Sequence, residues 1–302
     1  MKFWKSVLVP FKGFVIGSSM TVPGVSGGTM AIILGIYDRL IAAISHFGSD
    51  IKRNVWFLAK FCLGAVVGFC ALASTIGRLL ETFPIPVSFF FFGAIVGGIP
   101  ALYRKTRESK FNVFSVLYIL LGLAIVLGIG MLPQGLMPDS ANLSLVSLLI
   151  WLLAGIVVAL ALVLPGISTS HMLLVLGIYA KMSGAIDTTV AWVKSLLGGP
   201  AVEGAGAAIT FLALLVISTL VGVFLITRPL EWTMKKFPHQ TYCVIMGFVV
   251  GSLADIAGDI VWPALQVQAS TLSWVITAVV SLVTLAAGCG AILYLSRFSE
   301  DE

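Results

Sequence analysis

The chain has 302 residues, of which 59% are hydrophobic and only 10% charged, with a mean hydropathy of +1.09. A soluble domain is about a quarter charged, so this composition excludes one and indicates an all-α, polytopic membrane protein. The formal net charge is +5, but its placement says more than its size. Short polar loops leave no room for a sizeable soluble domain. No cofactor and no nucleic-acid partner is expected; membrane lipids are.

The N-terminus, Met1-Lys2-Phe3-Trp4-Lys5, is mildly basic. No small-residue cleavage site follows a typical signal core, so the first segment is read as mature structure. Apolar runs follow at 7–22, 29–47, 61–77, 86–102, 112–131, 145–164, 171–186, 207–227, 240–254 and 272–295. A spanning helix needs about 20 residues. The first two runs are borderline, and only a Pro-Gly turn joins them. That pattern predicts a re-entrant hairpin over 7–47, which enters the membrane, turns and leaves on the same side; two full spans joined by a tight turn would give the same sidedness, and loop charge does not separate the two. Three spans follow at 61–77, 86–102 and 112–131. A second hairpin over 145–186 and spans at 207–227, 240–254 and 272–295 complete the chain. Cys62, Cys70, Cys243 and Cys289 all lie in apolar runs, none as Cys-x-x-Cys, and read as small core residues. His46, His171 and His239 lie far apart with no ligand-spaced neighbour, so no metal site is expected.

Basic residues set the orientation. With a cytoplasmic N-terminus, only Arg78, Lys181 and Lys194 fall outside, and 15 of the 18 Lys and Arg residues lie inside. The segments 132–144 and 255–270 carry Asp139, Asp255 and Asp259 but no Lys or Arg, and are read as outer loops. Both termini are then cytoplasmic.

The chain repeats itself. Residues 23–37 read PGVSGGTMAIILGIY and residues 165–179 read PGISTSHMLLVLGIY, with eight of fifteen positions identical. Phe83-Pro84 followed by Gly93 and Gly97 matches Phe237-Pro238 followed by Gly247 and Gly251. Two ordered blocks define a first repeat over 1–132 and a second over 143–302 within one membrane domain. Each is a re-entrant hairpin plus three spans. Three is odd, so the second enters from the opposite side, and the repeats have inverted topology. Secondary transporters use this plan, with sites at broken helices near the midplane.

The two turns are the candidate site. Pro23 and Pro165 end the incoming helices, and Gly24 and Gly166 allow the reversal. Ser26 or Thr29 is placed to cap the outgoing helix, whose first amides lack partners and carry partial positive charge. Such an end binds anions, phosphate above all. Gly27 and Gly28 are expected to let an oxyanion approach the backbone, and Ser168, Thr169 and Ser170 offer the same from the second turn. The competing reading is helix capping and close packing through small residues. Lys12 lies 11 residues before Pro23, about 16 Å along a helix and near the interface, where it is expected to snorkel, with headgroup recruitment second. Asp38 and Arg39 read as loop residues. His171 lies at the second turn and hence at depth, which makes it a candidate for headgroup binding or proton coupling, with a satisfied core histidine as the competing reading. Arg78 with Glu81 and Arg228 with Glu231 read as solvated interfacial pairs, although Arg228, just before Pro229, is also placed to reach a cavity.

The motifs VPGVSGGTMA (22–31), LGIYDRLI (34–41), LPGIS (164–168) and LGIY (176–179) resemble the polyprenyl-phosphate transporter family of bacterial membrane proteins. The resemblance covers nearly the whole chain. It implies that a polyprenyl-phosphate lipid, undecaprenyl phosphate, is carried across the cytoplasmic (inner) membrane for recycling in cell-envelope synthesis. Family members often carry an acidic or amide residue before the first Pro-Gly. Here Ser18-Ser19-Met20-Thr21 stands there. The second motif often continues Gly-Ser-Phe, where this chain has Thr169-Ser170-His171; His171 is a candidate substitute for the acidic group. A homodimer is compatible with the sequence, but no residue demands one.

Two other functions compete. An undecaprenyl-diphosphate phosphatase would carry an arginine after the turn serine and a glutamate cluster in the opposing hairpin. Thr169 follows Ser168, and residues 12–37 hold no carboxylate. An ion-coupled transporter of a small soluble anion would use the same turns. The expectation is a transporter and not an enzyme.

Overall fold

A computed structural model gives the fold and describes residues 2–22, 24–106, 111–136, 145–196, 198, 200, 202–267 and 271–297. Pro23 lies outside the described residues, as do Arg107, Lys110 and Asp139 from the charge analysis. The first half forms α1 (Lys2–Ser19), α2 (Gly27–Ile33), α3 (Tyr37–Ser45), α4 (Ile51–Thr82), α5 (Pro84–Thr106) and α6 (Val113–Gly130). The second half forms α7 (Leu145–Val163), α8 (Thr169–Leu176), α9 (Tyr179–Ser195), α10 (Ala205–Lys236) and α11 (Pro238–Ile256). A π-helical turn (Ala257–Val261), α12 (Trp262–Val267) and α13 (Thr271–Arg297) follow. Among the described residues six helices are long and apolar enough to cross a membrane, or up to eight if each bent pair is one span. The chain is a multi-span, all-helical membrane protein.

Local chemistry explains the helix ends. Arg53 N–H donates to Asp50 Oδ1 at 3.3 Å, which caps α4. Asn112 and Ser115 form a reciprocal capping box at α6. The matched Phe-Pro blocks do the same job twice. Phe83 closes α4 at φ −133°, ψ 58°, and Phe237 closes α10 at φ −131°, ψ 58°. Pro84 and Pro238 then open α5 and α11, where a missing N–H costs nothing. Both α4 and α10 have 32 residues.

Packing interleaves the halves. α1 lies on α4, and α7 lies on α10, each within its own half. The last helices exchange partners: α13 packs on α5, and α6 packs on α11. The matched glycines serve these crossings. A Cβ on Gly93 would lie 1.9 Å from the Leu285 carbonyl oxygen, and one on Gly247 would lie 2.1 Å from that of Ile119. Only a bare backbone permits such approach between membrane helices. At the centre, α2 is buried from Gly28 to Ile33.

Four expectations change. The apolar runs 29–47 and 171–186, each continuous in sequence, are each two helices. α2 meets α3 at 115°, and α8 meets α9 at 104°. The cause is the Leu-Gly-Ile-Tyr motif. Gly35 and Gly177 adopt φ of +66° and +77°. Ile36 N–H reaches back to Ala31 O at 2.9 Å, and Ile178 N–H to Leu173 O at 3.0 Å, a Schellman stop in each case. Asp38 and Arg39 consequently lie in the first turn of α3 and not in a loop. The segment 255–267 is helical too: Asp255 lies at the end of α11, and the π turn Ala257–Val261 carries α11 directly into α12. Cys62 and Cys70 are exposed rather than core, because the apolar outer face of α4 points away from the bundle; Cys243 is buried.

Candidate functional site at the paired turns

Both glycines of the turns are left-handed, Gly24 at φ +81° and Gly166 at φ +79°. Both also lean on α11. A Cβ on Gly24 would lie 2.8 Å from Ile256 Cγ1, and one on Gly166 would lie 2.1 Å from Phe248 O. After each reversal a serine adopts extended backbone and starts the next helix: Ser26 at φ −84°, ψ 134° and Ser168 at φ −73°, ψ 123°. Ser168 caps α8 by accepting from His171 N–H at 3.3 Å. Ser26 makes no such bond.

The two turns meet. Gly166 N–H donates to Thr29 Oγ1 at 2.7 Å in a buried setting, a contact between residues 137 positions apart. One residue earlier, a Cβ on Gly28 would lie 3.1 Å from Pro165 Cα, so backbone packs on backbone. Tyr37 O–H donates to Val163 O at 2.9 Å, just before the second turn. The start of the first half's broken arm thus closes over the second turn. The matching Tyr179 is exposed, so the closure is one-sided. Tyr37→Phe removes one buried hydrogen bond and leaves the Val163 carbonyl without that donor. It is expected to lower stability by about 1 kcal/mol, read as a lower melting temperature in detergent.

These contacts sort the candidate residues. Gly27 and Gly28 were expected to leave room for an anion, but Met20 Sδ faces Gly27 and Pro165 faces Gly28. Their smallness serves close packing. Thr29 holds the second turn and does not cap α2. Ser168 caps α8. Thr169 is half-buried, and Ser170 is exposed. On the two turns themselves, Ser26 Oγ and His171 Nε2 are buried without a hydrogen-bond partner. Lys12 was expected to snorkel, but it is only 4% exposed because α1 is packed into the bundle. Arg228 is exposed on α10 and is not paired with Glu231 as expected. Glu231 is buried and bonds His46 Nδ1 at 3.1 Å and Lys235 Nζ at 2.7 Å.

Several polar residues gain roles that spacing did not suggest. Asp38 pairs with Lys105 and accepts from Tyr242 O–H at 2.9 Å, which ties α3 to α5 and α11. His239 bridges Thr106 O at 2.6 Å and Ser115 Oγ at 2.8 Å, which joins α11 to α5 and α6. The Schellman pattern in Leu-Gly-Ile-Tyr was the available signal for α3, and therefore for Asp38. Among the described residues no three His, Cys, Asp or Glu side chains group as a metal site.

Residues 16–275 match the family described as undecaprenyl phosphate translocase-like. The chain is 29% identical over 279 residues to a polyprenyl-phosphate transporter of Vibrio cholerae, covering 87% of this chain and 78% of that protein. It is 32% identical over 257 residues to a polyprenyl-phosphate transporter of Staphylococcus aureus, covering 83% of this chain and 84% of that protein. No solved structure matches. With a match across nearly its whole length and two broken, glycine-bearing turns joined at its centre, the chain belongs to the undecaprenyl phosphate translocase-like family.

Proposed function

We propose that this protein carries a polyprenyl phosphate, undecaprenyl phosphate, across the bacterial cytoplasmic membrane and returns it to the cytoplasmic leaflet for reuse in cell-envelope synthesis. The phosphate is held between the two turns. The observation that carries the reading is their contact, together with Ser26 Oγ and His171 Nε2, which belong to the same two turns, are buried and lack partners. A buried polar group without a partner costs about 1–3 kcal/mol. A phosphate supplies the acceptor oxygens that a serine hydroxyl and an imidazole N–H require. Thr169, Ser170 and the first amides of α8 extend the same donor set. Thr29, Gly28 and Gly166 hold the turns together and do not touch the lipid.

The paired elements support an inverted-repeat transporter. Each half carries the same order of broken arm and long helices, and each lends its last helix to the other. In this reading each broken arm is re-entrant, and rocking of the halves exposes the turns to one leaflet at a time. Both termini are cytoplasmic, by the distribution of basic residues. The protein works as a lipid flippase and breaks no covalent bond.

Proteoliposomes test the assignment. Ser26→Ala combined with Ser168→Ala is expected to abolish undecaprenyl-phosphate transport while the protein still accumulates in the membrane. Undiminished transport by that variant would remove the turns from the site. Release of inorganic phosphate from the diphosphate by purified protein would replace transport with hydrolysis.

A further inference from the structure

The turns leave the charged end of the first half unused. Lys52, Arg53, Trp56 and Lys60 occupy the opening turns of α4, and Arg39 stands in the first turn of α3. Together they line one open cleft of about 700 Å³. Its lining holds four cations and no carboxylate. Cations gathered on successive turns repel one another, so a partner of opposite charge is favoured. Two of the heads are seated on aromatic rings: Arg39 Cζ lies 4.3 Å from the Phe57 centroid, and Lys60 Nζ lies 4.8 Å from that of Trp56. Trp56 is 65% exposed, as an aromatic residue at a lipid headgroup level would be. The adjoining cleft of about 420 Å³ shares Arg39, Arg53 and Phe57. Its carboxylates are engaged: Asp50 caps α4, and Glu231 holds His46 and Lys235.

We propose that this cleft is a second phosphate site, which receives the phosphate monoester head of the transported lipid outside the turns. This rests on the transport reading above. A phosphate monoester carries about −1.5 to −2 charges. Two guanidinium groups supply forked donors for its oxygens, and two ammonium groups supply point charge. The exposed indole of Trp56 offers an amphipathic face beside these cations, of the kind enriched at the lipid headgroup level. Free inorganic phosphate has the same chemistry, so the test separates the two sources.

Protein is reconstituted in zwitterionic phosphatidylcholine nanodiscs doped with undecaprenyl phosphate or phosphatidylglycerol, with or without millimolar inorganic phosphate. Retained lipid per chain is counted by native mass spectrometry. Wild type is expected to hold undecaprenyl phosphate at two sites. The Ser26→Ala/Ser168→Ala variant is expected to keep the cleft-bound lipid. Lys52→Gln/Lys60→Gln is expected to keep the turn-bound lipid and to lose about tenfold or more in affinity at the cleft. A milder Lys60→Gln variant guards against misfolding and should weaken binding in the same direction. Displacement by inorganic phosphate at equal affinity would support the phosphate site and assign its occupant to solution. Equal loss of phosphatidylglycerol would overturn the proposal in favour of a general basic anchor. Unchanged retention by the cleft variants would overturn it while leaving transport through the turns intact. Failure of wild type to retain undecaprenyl phosphate would remove the transport reading as well.

Discussion

Replacing Thr29 with valine should cripple transport more than any other single change of equal size. The two side chains have nearly the same shape, so packing is preserved and only the hydroxyl is lost. That hydroxyl accepts the Gly166 N–H at 2.7 Å, in a buried setting between the two halves. Thr29→Val leaves the amide donor buried and unpaired, at a cost of about 1–3 kcal/mol. The loss falls on the contact that holds one turn against the other. Transport in proteoliposomes is expected to drop about tenfold or more, since 1.4 kcal/mol is a factor of ten. The melting temperature in detergent should fall with it. Thr29→Ser restores the acceptor and should recover most of both. If Thr29→Val matched wild type in both measurements, the inter-turn bond would carry neither stability nor function.

Gly166→Ala should be the most destabilising conservative change in the second half. Gly166 adopts φ +79°, which costs an L-residue about 1–2 kcal/mol. It also lies where a Cβ would stand 2.1 Å from Phe248 O, so α11 or the turn must shift. Overpacking of this kind adds about 1–3 kcal/mol. Gly204 is the control. It adopts φ +76° at the start of α10, and a Cβ there meets nothing within 4 Å. Gly204→Ala should therefore show the backbone strain alone and leave transport near wild type. Comparing the melting temperatures of the two variants separates left-handed strain from close approach. Equal shifts would mean that the contact with α11 is not tight.

Much of this architecture was legible as hydropathy and repetition. The long spans appear as apolar runs because lipid-facing helices are apolar around most of their surface, and the duplicated Pro-Gly turn named both halves of the candidate site. The same property hid other features. An apolar outer face makes Cys62 and Cys70 look like core residues when they are exposed. Hydropathy also runs straight through Gly35 and Gly177, because a Schellman stop removes no apolar residue. The polar stretch at Asp255–Asp259 looked like a loop, although it is helical throughout. The Thr29–Gly166 bond was beyond any local pattern, since it exists only once the halves are packed. Sequence placed hydroxyls at both turns; only their packing distinguishes Ser26, which has no partner, from Thr29 and Ser168, which are already engaged.

The most direct test is an experimental structure of the protein with undecaprenyl phosphate bound. Phosphate oxygens are expected within hydrogen-bond distance, about 3 Å, of Ser26 Oγ and His171 Nε2, with the Thr29–Gly166 bond intact. A phosphate seated only at the Arg39–Lys60 cleft, with Ser26 and His171 still without partners, would contradict that placement.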